Sequence, residues 1–331
     1  MKKYILSIIL IFPFIGKSQH TFSIVAIDSL TGEIGSAGAT CGDSIIWPGT
    51  PGAKIISDLI PGKGAIHTQA YYNPSNQANA HAKMVAGFSP QAIIKWLEEN
   101  DTDFDSSIRQ YGIVDYNSGH PRSAAFTGSQ CNNYKNHNLG ANYSIQGNIL
   151  LGQQILDSME NRFKNTKGTL ADKLMAALQG ANVVGADTRC KPNGTSSLSA
   201  FLRMAKPTDS ANNIYIDLNI AGTKTGTEPI DELQKKYNTW KAIVGILEKE
   251  YYTPLEVSMV PNPSDGIIIV KLNNAKPTKV EIMGLLGQVV MTQYIISNTF
   301  ELDLSTLNSG LYFINFYKGD IKIGTERIVK K

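Results

Sequence analysis

The chain has 331 residues, 42% hydrophobic and 18% charged, which gives apolar material for ordinary packed cores and length for more than one domain. Its formal charge of +3 sets 31 basic against 28 acidic residues, and no basic run is interleaved with aromatics, so nothing in the balance marks a DNA or RNA partner. Lys2, Lys3 and Lys17 supply the whole excess, and a chain without residues 1–18 is neutral.

Those first residues read as a signal peptide. Lys2 and Lys3 form a positive start, Tyr4 to Ile15 is apolar, and Gly16 and Ser18 suit the −3 and −1 positions before a cut. The apolar run is short for a membrane span, and no later segment is longer, so the expectation is an exported, soluble protein, with anchoring by an uncut peptide as the alternative. Cys41, Cys131 and Cys190 remain after such a cut. In an oxidising compartment an odd count implies one bridge and one leftover thiol, with three pairings open. None lies in a CxxC or near a histidine at ligand spacing, so no metal site is expected.

From residue 19 to about 252 strands and helices alternate without a simple βαβ repeat. Thr21 to Ala39 holds two strand-like runs around the turn Asp28-Ser29-Leu30-Thr31-Gly32. The Gly/Pro-rich stretch Trp47 to Gly64 reads as loop with at most short helix. Ala65 to Tyr71 is a strand. Asn76 to Ala86 and Ser89 to Asn100 are helical, the second with Ser89 as cap, Pro90 in the first turn and Ile93, Ile94 and Leu97 on one face. Gln110 to Tyr116 and Ser123 to Thr127 form a hairpin about Asn117-Ser118-Gly119, and Tyr143 to Gln146 is a short strand. Gln153 to Phe163 and Leu170 to Gln179 are amphipathic helices. Strands at Ser197 to Met204 and Ile214 to Leu218 follow, then a helix from Pro229 to about Tyr252 with acids in its first turn. Helices in a block between sheet elements favour a layered α+β domain with antiparallel strands. Thr253 and Pro254 mark a boundary. Over residues 253–331 seven short strands run without a helix, the pattern of a small β-sandwich.

This second segment resembles the sorting domain of the type IX secretion system, through the PNPSDG opening at Pro261 to Gly266, the VEIMGLLGQVV run, LDLSTLNSGLYFINF and the closing ERIVKK. The resemblance implies an export address read by the type IX machinery and a mature protein that is secreted or held on the outer-membrane surface.

The first domain resembles the uncharacterised domain family numbered 1028. The matching runs are TFSIVA at Thr21 to Ala26, TGEIG at Thr31 to Gly35, HTQA at His67 to Ala70, RQYGIVD at Arg109 to Asp115, FTGSQC at Phe126 to Cys131, IQGNIL at Ile145 to Leu150 and GADTRC at Gly185 to Cys190. The resemblance implies a layered αββα fold of the N-terminal-nucleophile (Ntn) hydrolase type. Many relatives have a Gly-Gly-Asp-x-Arg-Gly run where this chain has Gly185 to Cys190, and they lack a cysteine at Cys41. That departure implies a bridge between Cys41 and Cys190, with Cys131 as the odd thiol.

An Ntn hydrolase uses the hydroxyl or thiol of its first residue as nucleophile and its own α-amine as base. Under that rule Thr21 is the nucleophile, and Ser23, two residues on along the same strand face, is the fallback. A cut after Ser18 leaves Gln19 and His20 ahead of Thr21, and an N-terminal glutamine can cyclise and lose its amine. Asn148 suits either an oxyanion donor or a cap for a helix beginning near Leu151. Gln69, Asn73 and Arg109 gather at strand ends as substrate contacts. Asp187 and Arg189 suit an ion pair or a clamp for a substrate carboxylate. His67 sits in a core strand, where a buried, satisfied histidine is the commoner outcome. The glycines from Gly49 to Gly64 lack the phosphate-loop order, and no cofactor is indicated. The leading expectation is an exported amidohydrolase acting on a small or peptide-like substrate. The rivals are a non-catalytic ligand-binding protein on the same fold and a surface assembly subunit, with a homo-oligomer left open.

Overall fold

The computed structural model describes residues 18–19, 21–44, 49–117, 119–251, 255–273, 276–319 and 321–331. Most of the signal-peptide reading, the turn residue Ser118 and the boundary residues Thr253 and Pro254 lie outside them. The chain divides into two compact units, with the break between Asn238 and Thr239.

In chain order the first unit runs β1 (Ser18–Gln19), β2 (Thr21–Ile27), β3 (Ile34–Thr40), β4 (Ser57–Ile60), β5 (Gly64–Tyr71), α1 (Pro74–Val85), α2 (Pro90–Glu99), β6 (Arg109–Asn117), β7 (His120–Thr127), β8 (Asn136–Gly140), β9 (Tyr143–Gly147), α3 (Gln153–Asn165), α4 (Leu170–Gly180), β10 (Ser199–Ala205) and β11 (Ile216–Ile220), followed by α5 (Pro229–Tyr251), which continues past the break. One sheet has the order β1-β5-β6-β7 with β4 also on β5, and the other β11-β10-β3-β2-β9-β8. All pairings are antiparallel.

Alternation along the central strands gives each sheet two buried faces. Ile66, Tyr111, Ile113 and Ala124 turn outward against Ala80 and Met84 of α1 and Ile93, Ile94 and Leu97 of α2. Ser89 caps α2 by accepting the Ala92 N–H, as its place before Pro90 predicts. On the other sheet α4 lies so close to β3 that a Cβ on Gly35 would stand 2.3 Å from Leu174 Cδ1. The inner faces meet each other, so the layers are α, β, β, α, the arrangement the resemblance implies. At one end the inter-sheet space is apolar, filled by Val25, Ile27, Ile34, Leu59, Ala65, Val114 and Ala205. Towards Thr21 it turns polar.

Two strands depart from the sequence reading. Ser57–Ile60 pairs with β5 inside the stretch expected to be loop, after a single 3-10 segment at Gly52–Ile56. Asn136–Gly140, which carries His137, pairs with β9 where the sequence reading placed no strand, and β7 begins at His120, before the expected Ser123.

The second unit holds β12 (Val257–Val260), β13 (Ile267–Leu272), β14 (Lys279–Met283), β15 (Val289–Tyr294), β16 (Thr299–Asp303), β17 (Gly310–Lys318) and β18 (Ile321–Lys330). They form the sheets β12-β13-β16 and β15-β14-β17-β18. Alternate residues, among them Ile268, Val270, Val280, Ile282, Leu302, Ile314 and Phe316, pack between the sheets.

Candidate functional site

The polar end of the sandwich interior is built by side chains that alternation points inward. On β2 these are Thr21 and Ser23, on β3 Ser36 and Thr40, on β9 Gln146, and on the facing sheet His67 and Gln69 of β5 and Gln110 of β6. All are at most 1% exposed. A buried polar group without a partner costs more than a made hydrogen bond returns, so the arrangement is stable only as a closed network.

Its centre is Ser23. The Ser23 hydroxyl donates to Gln69 Oε1 at 2.6 Å and accepts from Gln146 Nε2 at 2.7 Å. His67 Nδ1 is 2.9 Å from the same oxygen, and His67 Nε2 is 2.5 Å from Ser36 Oγ. A serine has one proton, and Ser23 gives it to Gln69. His67 therefore carries its hydrogen on Nδ1, donates to Ser23, and accepts from Ser36 at Nε2. Ser36 in turn meets Ser57 Oγ at 2.8 Å, which accepts from Arg203 Nη1 at 3.1 Å. Burial first, and the Arg203 charge second, push the His67 pKa down to about 3, so the ring is neutral. Ser23 and His67 thus stand at the distance of a nucleophile and its base, with the proton pointing the wrong way and no exposure to solvent.

A second set surrounds Thr21. Its carbonyl accepts from the Asn148 N–H at 3.2 Å and from Gln69 Nε2 at 3.1 Å. Gln69 Nε2 also donates to Gln110 Oε1 at 2.8 Å, which accepts from Asn148 Nδ2 at 3.0 Å. Thr21 sits opposite Thr40 in the β2–β3 register, and Thr40 Oγ1 accepts from Arg189 Nη2 at 3.3 Å. Arg189 also donates to Asp187 through Nε at 3.0 Å and Nη2 at 2.6 Å. Asp187 is fully buried and accepts the Cys41 N–H at 3.0 Å, while 30% of the Arg189 side chain is exposed. Cys41 and Cys190 form a disulfide that ties the end of β3 to this turn, and Cys131 is a free, buried thiol. Burial pushes the Cys131 pKa up to about 11, so it is no thiolate nucleophile near neutrality.

Of the residues singled out from sequence, Thr21, Ser23, Gln69, Asn148, Asp187 and Arg189 come together here. Asn148 does not cap a helix: α3 begins at Gln153 after Gly152. Arg109 and Asn73 do not join the group. Arg109 binds Asp101 through Nε at 2.8 Å, Asp103 through Nη2 at 2.5 Å, and the Tyr71 carbonyl through Nη1. Burial works against its charge, but the hydrogen bonds to Asp101 and Asp103 outweigh it and raise its pKa. Asn73 caps α1 by accepting the Ser75 and Asn76 N–H groups and donates to Asp103 at 2.8 Å. Both serve the fold. Thr40, Ser36, Ser57 and Arg203 escaped the sequence reading. For Ser36 and Thr40 the signal is the alternation of small residues along Ile34 to Thr40, which puts both on one face; Ser57 and Arg203 join only through the tertiary fold.

Among the described residues no cluster of His, Cys, Asp and Glu is arranged to hold a metal ion, and no helix is long and apolar enough to cross a membrane. A surface pocket lined by Asp28, Leu30, Asn142, Phe163, Lys164 and Lys173, with others, adjoins Ile27 at the far end of β2 from Thr21.

Comparison with known proteins follows the two units. Residues 258–331 match the secretion system C-terminal sorting domain. No curated protein matches the chain. A solved structure of a Silicibacter pomeroyi protein assigned to DUF1028 is similar at a TM-score of 0.54 and 23% identity, over 67% of this chain and 89% of that one. Two Anbu structures are more remote, with 69% of this chain and 97% of theirs covered in each case. They are the ancestral β-subunit from Yersinia bercovieri, at a TM-score of 0.37 and 12% identity, and a Gly-1 mutant from Hyphomicrobium sp. strain MC1, at 0.36 and 10%. Residues 21–233 match the family of unknown function DUF1028, and the chain belongs to that family.

Proposed function

We propose that residues 21–233 form an exported amide hydrolase of the N-terminal-nucleophile class, acting on a small or peptide-like substrate and competent in chains that begin at Thr21. The observation that carries this reading is the convergence of the buried amides on the first residue of β2, whose carbonyl is held by both Asn148 and Gln69. With a free α-amine beside it, the Thr21 hydroxyl attacks the substrate carbonyl while the amine takes its proton and passes it to the leaving nitrogen. Water then releases the acyl group from the Thr21 ester, with the amine again as base. Asn148 and Gln69 position Thr21, and Arg189, the partly exposed cation of the site, offers a contact for a substrate carboxylate. The sorting domain marks the chain for export to the cell surface or the medium.

One observation favours the rival, a ligand-binding protein on the same fold. With Ser18 and Gln19 present as a strand, Thr21 is fully buried and its nitrogen is part of a peptide bond. Neither the neutral His67 nor the paired Arg189 replaces the missing base. The test is N-terminal sequencing of the exported protein, together with an amide panel assayed on chains beginning at Thr21 and at Gln19. The hydrolase reading expects activity only in the first, with a loss of at least about 10³-fold in Thr21→Ala, the scale of removing a catalytic group. An exported chain that begins at Gln19, or equal turnover by Thr21→Ala, removes it.

A further inference from the structure

Strand β5 outruns its neighbour on one side. β4 covers β5 only from Gly64 to His67, whereas β6 covers the other side as far as Ala70. The main chain from Thr68 to Tyr71 is therefore sheet edge on that side, open to pairing with an added strand, although the Tyr71 carbonyl also accepts from Arg109 Nη1. This edge lies at the Thr21 end of the sandwich, because the Gln69 side chain reaches the Thr21 carbonyl at 3.1 Å. It is also occupied: Ser18 and Gln19 lie antiparallel on it, opposite Tyr71 and Ala70.

Ser18–Gln19 is thus an extended strand laid on β5 in one sheet, and Thr21 opens β2 in the other. In sequence these residues lie on the acyl side of the peptide bond that ends at the Thr21 nitrogen. A substrate whose carbonyl is to meet the Thr21 hydroxyl brings its acyl side to the same place.

We propose that the Thr68–Tyr71 edge of β5 is the peptide subsite of this domain, that it takes an extended peptide antiparallel to β5 by main-chain hydrogen bonds, and that Ser18–Gln19 is its built-in occupant. The direction of cleavage rests on the hydrolase reading; the binding does not. Recognition through the main chain makes the subsite tolerant of peptide sequence, and it is closed in any chain that keeps the occupant.

The experiment uses the full chain, sorting domain included, in one form beginning at Ser18, which keeps both residues of the occupant, and one beginning at Thr21, with the acetylated peptide amide Lys-Ser-Gln-His as probe in calorimetry. The Thr21 form binds the probe, and the Ser18 form binds it at least about tenfold more weakly, the worth of one strong hydrogen bond. N-methylation of the probe's amides weakens binding by a similar factor, and scrambling its sequence leaves it within about threefold. If the Thr21 form fails to fold, a longer chain carrying both Ser18→Pro and Gln19→Pro, which removes whichever of the two N–H groups faces β5, supplies a second open form. Equal binding to open and closed forms, no binding to a folded open form, or indifference to N-methylation overturns the proposal. Binding without hydrolysis supports the subsite and removes the hydrolase reading.

Discussion

His67 is the residue on which the sealed interior is most sensitive to acid. It is fully buried, its two nitrogens face Ser23 and Ser36, and its pKa is pushed down to about 3 from an ordinary 6.5. Between those values the unfolded chain takes up a proton that the folded chain refuses. Stability is undiminished above pH 6.5 and falls as pH drops through this window, by at most about 1.4 kcal/mol per unit for one such group. His137, whose pKa burial also lowers, adds to the same slope. Urea unfolding from pH 7.5 to 4.5 should therefore show a falling midpoint, and His67→Gln should flatten that fall while lowering stability at neutral pH. An unchanged slope in the variant would mean that His67 is protonated in the folded chain. None of this was legible in the residue alone. Position 67 reads as an inward residue of a strand, but its partners lie 44 and 31 positions away, and only the meeting of the sheets brings them together.

Most elements could be read from the sequence because each carries a local reason. Ser89 before Pro90 starts α2, Thr169 and Asp172 form a capping box at α4, and the alternation of Gly64 to Tyr71 makes a strand. The two strands missed lack such reasons. Ser57–Ile60 is four residues long within a Gly/Pro-rich stretch, and Asn136–Gly140 has no β-branched residue and no Phe, Tyr or Trp, so tertiary pairing makes them strands. The same limit separates the site residues: Asp187 and Arg189 were readable as a pair, whereas Arg109 looked available until Asp101 and Asp103 were placed around it. The disulfide acts at this scale by joining the end of β3 to the turn that carries Asp187 and Arg189. It spans 149 residues, and closing a loop of that length removes up to about 5 kcal/mol of unfolded-state entropy. Cys41→Ala with Cys190→Ala should lower the unfolding free energy by several kcal/mol. Amide hydrogen exchange should quicken first at residues 187–193, and uniform loss of protection across both sheets would argue against a local clamp.

On the scale of the whole molecule, the two units carry separate messages, one a site and one an address. Removing residues 258–331 should leave the first unit folded but keep it out of the medium and off the cell surface, as fractionation with an antibody to the first unit would show. Undiminished export of the truncated chain would refute the role given to the sorting domain. Within the first unit, the polar network imposes a condition on how the fold can form. Ser23, Ser36 and Gln146 belong to one sheet and His67, Gln69 and Gln110 to the other, with the bonds that join His67 to Ser23 and Ser36, and Gln69 to Ser23, crossing the gap between them. Either sheet assembled by itself would have to keep those groups wet, and a half-built sandwich gains no driving force from hiding them. The halves consequently rise and melt together, and a partly opened intermediate has little thermodynamic room to exist.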